Sequence, residues 1–298
     1  MIKTTLDFLQ FMFTNVPLLT SLTIFTLLSI LLAKSIKEHA RVYYLILVIP
    51  FLLMGVSIIA RWFGAETFLS VPILGQFLRD FTPMSALGQQ LFIIVMYMGA
   101  LGGRNPYVKR LMSIRKKLAI IAGFAVLTHV LNRAAVSFIP ALRYFTDNEA
   151  FMANNPHVVS ELGAFISSFS LVLGVVMFVV FLPLWISSFN SVRLRMNAVK
   201  WKKLHRLAYV LYATLFIHAA GITTGRILNP PVQAQRPAIE VSVQTTSKGF
   251  ADFEMSPKNR QYVHLTTLVL IYGSYVFLRV RKANRNKKNK EKMRRTAV

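Results

Sequence analysis

The chain has 298 residues, 54% of them hydrophobic and only 15% charged, with a mean hydropathy of +0.50. A soluble globular domain carries about a quarter charged residues, so this composition excludes an ordinary soluble enzyme and points into a membrane. Net charge is +24, and the absence of cysteine excludes disulfides, iron–sulfur clusters, thiolate-ligated haem and covalent c-type haem.

Seven apolar runs are each long enough to cross about 30 Å of hydrocarbon, and together they predict an all-α polytopic transmembrane helix bundle. The first covers 14–33; Asp7 interrupts the apolar run before it and no small-x-small site follows, so it reads as a retained span and not a cleaved signal. The second covers 42–60. Region 65–80, broken by Glu66, Pro72, Arg79 and Asp80, is not an eighth. The third covers 85–103 and ends in Gly99, Gly102 and Gly103, small residues that permit close helix packing. The fourth, 118–139, carries His129 and Arg133, and a polar loop with Asn and Asp turn formers follows at 140–160. The fifth covers 162–187 and the sixth 207–224, the latter entered through Trp201-Lys-Lys-Leu-His-Arg-Leu-Ala-Tyr209. A second polar segment, 226–262, alternates apolar and polar residues from Ala238 to Gln244 before Ser247-Lys-Gly249, which reads either as a small hairpin or as a disordered loop. After the seventh span, 263–279, the basic tail is expected to be disordered or to lie along lipid head groups. The organisation is therefore 1–84, N-terminal spans and an outer loop; 85–225, the histidine-bearing core; 226–262, an extracytoplasmic loop; and 263–298, the last span and the tail.

The cations cluster in alternate connections: Lys34, Lys37 and Arg41; Arg104 to Lys117; Arg193 to Arg206; and Arg279 to Arg295. The positive-inside rule makes these connections cytoplasmic, placing the N-terminus outside and the C-terminus inside a multi-pass cell membrane. A pI of 10.7 would suggest nucleic acid in a soluble protein. Here the charge is chiefly a topology signal, with attraction to anionic membrane lipid as an addition, and nucleic acid is set aside as a partner.

Histidine inside a span is costly and marks a functional site by default. His205 and His218 are thirteen residues apart on the sixth stretch, roughly 20 Å along a helix and some 140° apart around it, so one porphyrin cannot use both. The fourth span starts after Lys117 on the same side as the sixth and runs parallel to it. His129 lies about 18 Å in, and His218 lies at a similar depth beyond Arg206. Two imidazoles at one depth on parallel helices suit a bis-histidine haem. Singly, each histidine reads equally well as a polar residue hydrogen-bonded to a neighbouring helix.

Arg133, four residues after His129, and Arg226, at the outer end of the sixth span, are candidates for haem propionates against the plainer reading of snorkelling to the interface. His205 could ligate a second, inner haem, but its partner is missing: thirteen residues before His129 stands Lys116, beside Arg115. Neither replaces imidazole, and both suit an anion, a flavin or lipid phosphate, or serve only as topology charges. His39 and His157 read as surface residues, and His264 as a reserve ligand or proton relay.

The run Trp201-Lys-Lys-Leu-His205-Arg-Leu-Ala-Tyr209 with His218 thirteen on, preceded by Ser113-Ile-Arg-Lys-Lys-Leu-Ala and His129, resembles the ferric-reductase-like transmembrane domain. Within it, the look is that of the haem-binding membrane subunit of the bacterial periplasmic methionine sulfoxide reductase system. The resemblance spans about 85–225. It implies haem b held by His129 and His218, and His205 at a second, inner site. It also implies a flavin or electron-donor contact at Arg115 and Lys116, electron flow from the cytoplasmic side to an extracytoplasmic acceptor, and a bacterial inner membrane. An additional N-terminal span, the long outer loop and the basic tail depart from that pattern.

No Gly-x-Gly-x-x-Gly follows a strand and there is no P-loop, so no nicotinamide or flavin domain is expected in the chain. Electrons are expected from a cytoplasmic flavin reductase, a bound FMN or a quinol. They are expected to pass to ferric iron or a periplasmic redox enzyme, making the chain an oxidoreductase subunit for electron transport. Two rivals are a transporter, against which stands the lack of paired acidic residues and of broken helices near the midplane, and an assembly subunit with incidental histidines.

Overall fold

The computed structural model describes residues 8, 12, 15–64, 85–102, 105–156, 158–230 and 255–296. Every element assigned among them is helical. In chain order they are α1 (Pro17–Leu31), α2 (Ala33–Glu38), α3 (Ala40–Trp62), α4 (Ser85–Leu101), α5 (Pro106–Arg133), a π segment (Ala134–Phe138), α6 (Ile139–Thr146), α7 (Asn148–Ala153), α8 (Glu161–Ile186), α9 (Asn190–Arg193), α10 (Ala198–His205), α11 (Ala208–Leu228) and α12 (Pro257–Thr296). Among the described residues each of the seven apolar runs lies mainly on helix. Among the described residues four stretches are long and apolar enough to cross a membrane, Ala40–Ala60, Glu161–Ile186, Ala198–Leu228 and Pro257–Met293, with Pro17–Leu31 and Leu87–Leu101 as shorter apolar helices. The chain is an all-α polytopic membrane bundle.

Burial is inverted relative to a soluble fold. On α3, Leu45, Ile49, Leu52, Val56 and Ile59 are each more than half exposed, while Ser57 is fully buried. Large aliphatic side chains facing out with a hydroxyl facing in is stable only where the surroundings are hydrocarbon.

The chain divides into two compact units. The first comprises Met1–Ser21, Ser137–Val176 and Ala213–Leu268; the second comprises Leu22–Val136, Met177–Tyr212 and Val269–Val298. In the second, α3, α4 and α5 bury Leu47, Leu91, Ile94, Met98, Ile114, Leu118 and Ile121 against one another. α5 begins on a sequence-encoded cap: the Asn105 side chain accepts from the Tyr107 amide at 2.8 Å, and Pro106 fills the first helical position, where no amide donor is required. α4 ends at Gly102, whose φ of +74° turns the chain out of the helix at little steric cost.

In the first unit, α8 and α11 meet along small residues. A Cβ on Gly221 would collide with the Ser170 hydroxyl, one on Gly225 with the Ser167 hydroxyl, and one on Gly163 would lie 2.6 Å from Asn229 Nδ2. The glycines let the helix backbones approach, which is how helices associate where lipid gives no hydrophobic drive. Asn229 closes the seam, accepting from the Val159 and Ser160 amides (3.0 and 2.7 Å) and donating to the Ser160 carbonyl (2.8 Å).

Three expectations change. The polar stretch 140–160 is not simply a loop but holds α6 and α7, because Asp147 accepts from the Ala150 amide at 3.0 Å and Tyr144 packs on Phe145, Phe151 and Phe165. The fourth apolar run is not uniform α-helix: it widens to π at Ala134–Phe138. Pro140 supplies the cause, having no N–H for the carbonyl four residues back and a ring that crowds it. The tail is helical through Thr296. Nothing breaks α12: no Pro or Gly follows Gly273, and cations gather toward its C-terminal, electronegative pole. The expected hairpin at 238–249, the broken region 65–80 and Gly103 lie outside the described residues.

Candidate functional site

Within the second unit the middle of α4, the first half of α5, the end of α8, the second half of α10 and the start of α11 line a cleft of about 600 Å³. Its walls are apolar and aromatic, including Phe92, Met112, Phe181, Leu184, Trp185 and Leu211; its polar groups are Arg115, Lys116, Ser187, Ser188, Arg193, Trp201, His205 and Tyr212. No carboxylate lines it. A mostly apolar cleft with a few convergent polar groups is the usual form of a cofactor or ligand site.

Each polar wall residue is placed by local folding. Asn197 caps α10, its side chain accepting from the Val199 amide at 2.7 Å, and this starts the turn that carries Trp201 and His205. The Trp201 indole donates to the Ser187 carbonyl at 3.2 Å and packs on the His205 ring, centroids 4.1 Å apart. The Arg193 guanidinium covers the other ring system at 4.8 Å from the Trp201 centroid and donates to the Met196 carbonyl. His205 Nε2 lies 3.1 Å from Ser187 Oγ, and Ser187 donates its one hydroxyl proton to the Leu184 carbonyl, also at 3.1 Å. Lys116 donates to Asn190 Oδ1 at the start of α9. Partial burial, and secondarily the Arg193 charge, hold its amine below the ordinary lysine pKa. Arg115 hydrogen-bonds with Tyr212 and lies against Gly99, where a Cβ would stand 3.3 Å from its Nη2. The glycine end of α4 thus receives arginine and lysine rather than another helix: Arg279 and Lys282 donate to the Gly99 carbonyl at 3.2 and 2.7 Å.

The structure so brings together Arg115, Lys116 and His205, and adds Arg193, Trp201 and Ser187, to which the sequence assigned no site role. The capping asparagine at 197 was a legible signal; the ring stack was not.

The other histidines are placed separately. His129 is half-buried on α5 in the second unit, with Arg133 exposed on the next turn. His218 is on α11 in the first unit, with Arg226 exposed two turns on. His218 Nδ1 faces the Ser170 carbonyl at 2.6 Å, so it carries the proton and Nε2 carries the lone pair. Gly174 lets the ring pack close against α8: a Cβ there would stand 3.2 Å from His218 Cε1 and 3.4 Å from Nδ1. An imidazole fixed through Nδ1–H to a carbonyl, with Nε2 basic, is the state in which histidine binds a metal. The residues fit a haem ligand at His218. His264 on α12 lies within electrostatic reach of Arg226, His39 is exposed at the end of α2, and His157 lies outside the described residues.

Residues 87–216 match the family model of the ferric reductase like transmembrane component. The match supports the ferric-reductase-like family and, with the apolar helices, a membrane electron-transfer component. It takes in His129, His205, Arg115, Lys116 and Arg193; His218 stands two residues past its end. No curated protein and no solved structure is significantly similar to the chain.

Proposed function

We propose that this protein is a b-type haem membrane subunit that carries electrons from a cytoplasmic flavin reductase or quinol donor to an extracytoplasmic acceptor, ferric iron or a periplasmic redox enzyme. The observation that carries it is His218: Nδ1 is held by the Ser170 carbonyl at 2.6 Å, which leaves Nε2 as the basic, metal-binding nitrogen. Domains of the matched family generally bind haem, which when bound supplies one-electron iron chemistry. His129 and His218 would hold the haem iron, and Arg133 and Arg226 would meet its propionates. His205 stands at the inner site, where Arg115, Lys116 and Arg193 receive the anionic part of a flavin or the head of a quinone and the apolar walls exclude water. Held between two imidazoles, such a haem would supply electron transfer rather than oxygen activation.

The test is the reduced-minus-oxidised spectrum of purified protein with a haem-to-protein ratio. His129→Ala and His218→Ala are each expected to remove most of the b-type signal. Full haem content in both variants would discard the ligand pair. A ratio of one that His205→Ala leaves intact assigns the inner site to the donor; a ratio of two that falls to one assigns it a second haem.

A further inference from the structure

The electron-transfer reading leaves one large feature unused, the basic half of α12. From Arg279 to Thr296 the helix carries ten cations and one acid, Glu291. Its few apolar residues there, Val280, Ala283 and Met293, do not form a stripe, so it has no face to lay into a bilayer interface. Its root is fixed. Arg279 and Lys282 donate to the Gly99 carbonyl at the end of α4, and Arg279 lies over the Tyr209 ring at 4.9 Å from the centroid. Gly99 is also the residue against which Arg115 of the cavity rests.

Distance decides what the cations can serve. The apolar part of the helix ends at Val280, and at 1.5 Å per residue Lys287 stands roughly 10 Å, Lys290 roughly 15 Å and Arg294 roughly 21 Å further along the axis. Head groups add about 5–7 Å to the hydrocarbon on each side and salt screens charges over about 8 Å, so the outermost cations, Lys292 and Arg295, about 18 and 22 Å past Val280 along the axis, stand beyond the reach of lipid head groups around the span. They also repel one another: Arg281 and Arg285, and Lys288 and Lys292, are like-charge pairs four residues apart. An all-round cationic rod standing off the membrane is complementary to an anionic surface arriving from solution.

Resting on the electron-transfer reading, we infer that the C-terminal half of α12 is a docking arm for an acidic soluble protein, the electron donor, which it holds beside the cavity of Arg115, Lys116 and His205. The arm raises the encounter rate and local concentration of the donor; the cavity does the recognition.

The experiment uses the full chain in zwitterionic nanodiscs and a 20-residue polyglutamate peptide as probe, with binding as the readout. Removal of residues 285–298 takes away seven cations and Glu291 and leaves the Gly99 anchors intact. It is expected to weaken peptide binding at least tenfold at low salt and to abolish most of its salt dependence, with haem content unchanged. A second variant, Lys287, Lys288, Lys290 and Lys292 all to Gln, keeps the length and is expected to behave alike. Equal peptide affinity in wild type and both variants overturns the arm, as does tighter capture of a 20-base-pair duplex than of the peptide. Because the chain has no cysteine, a single spin label at Asn289→Cys reports its height above the bilayer in nanodiscs with and without anionic lipid. A label that stays clear of the surface in both supports the arm, and a label drawn onto the anionic bilayer makes it a lipid anchor instead. Peptide binding in a preparation without haem keeps the arm while sinking the redox reading, so the two failures are separable.

Discussion

Gly123→Ala tests the wall of the cavity directly. A Cβ at Gly123 would fall within the Trp185 indole, meeting Nε1, Cδ1 and Cε2. The ring cannot yield cheaply, because Nε1–H donates to the Ile120 carbonyl at 3.1 Å and the indole packs on Phe124 (5.0 Å), Phe189 (5.1 Å) and Phe181 (6.0 Å between centroids). Forcing one carbon into a packed site costs about 1–3 kcal/mol, and loss of the indole hydrogen bond adds about 1 kcal/mol. The expected destabilisation is about 2–4 kcal/mol. Thermal unfolding in detergent, followed by tryptophan fluorescence, measures it, and Gly123→Ala with Trp185→Phe controls for the clash because the smaller ring can give way. An unchanged midpoint in Gly123→Ala would refute the packing argument, and with it the placement of Trp185 on the cavity wall.

Gly221→Leu should part α8 from α11, release the His218 ring from the Ser170 carbonyl and lower haem content severalfold at similar expression; intact haem would show that the seam does not orient the imidazole. Asn229→Ala removes two accepted hydrogen bonds and one donated, and should destabilise the protein by about 1–3 kcal/mol in chemical unfolding. For the cavity, the Lys116 pKa is lowered, so its charge is complete only below that depressed value and is lost as pH rises through it, earlier than for an ordinary lysine. Affinity for an FMN probe should therefore fall with rising pH, and Lys116→Arg, which stays charged, should remove that step; parallel pH profiles would exclude Lys116 from the anion contact.

The spans were legible because hydropathy over eighteen or more residues has few other causes, and each run did become helix. Arg115, Lys116 and His205 could be grouped from the sequence because α5 is long and regular and the turn at Arg206–Leu207 keeps α10 next to α11. Arg193 and Trp201 escaped because their place depends on a tight chain reversal through α9 and on a ring stack, neither of which has a periodic signature. The disordered reading of the tail failed for a related reason. Dense like charge argues against an isolated helix, yet here the helix is nucleated by the apolar span before it and needs only to be propagated.

The contact between α8 and α11 has a consequence for how this chain can change. Ser170 and Gly221 share one volume: the hydroxyl occupies the space an alanine methyl would need. Gly221→Ala alone should be harmful, Ser170→Ala alone nearly silent, and the two together close to wild type, a coupling of the kind that double-mutant cycles resolve. Such swaps preserve the helix separation, so natural variation at the two positions should move as a pair, and a survey of sequence variants would find them correlated while His218 stays fixed between them.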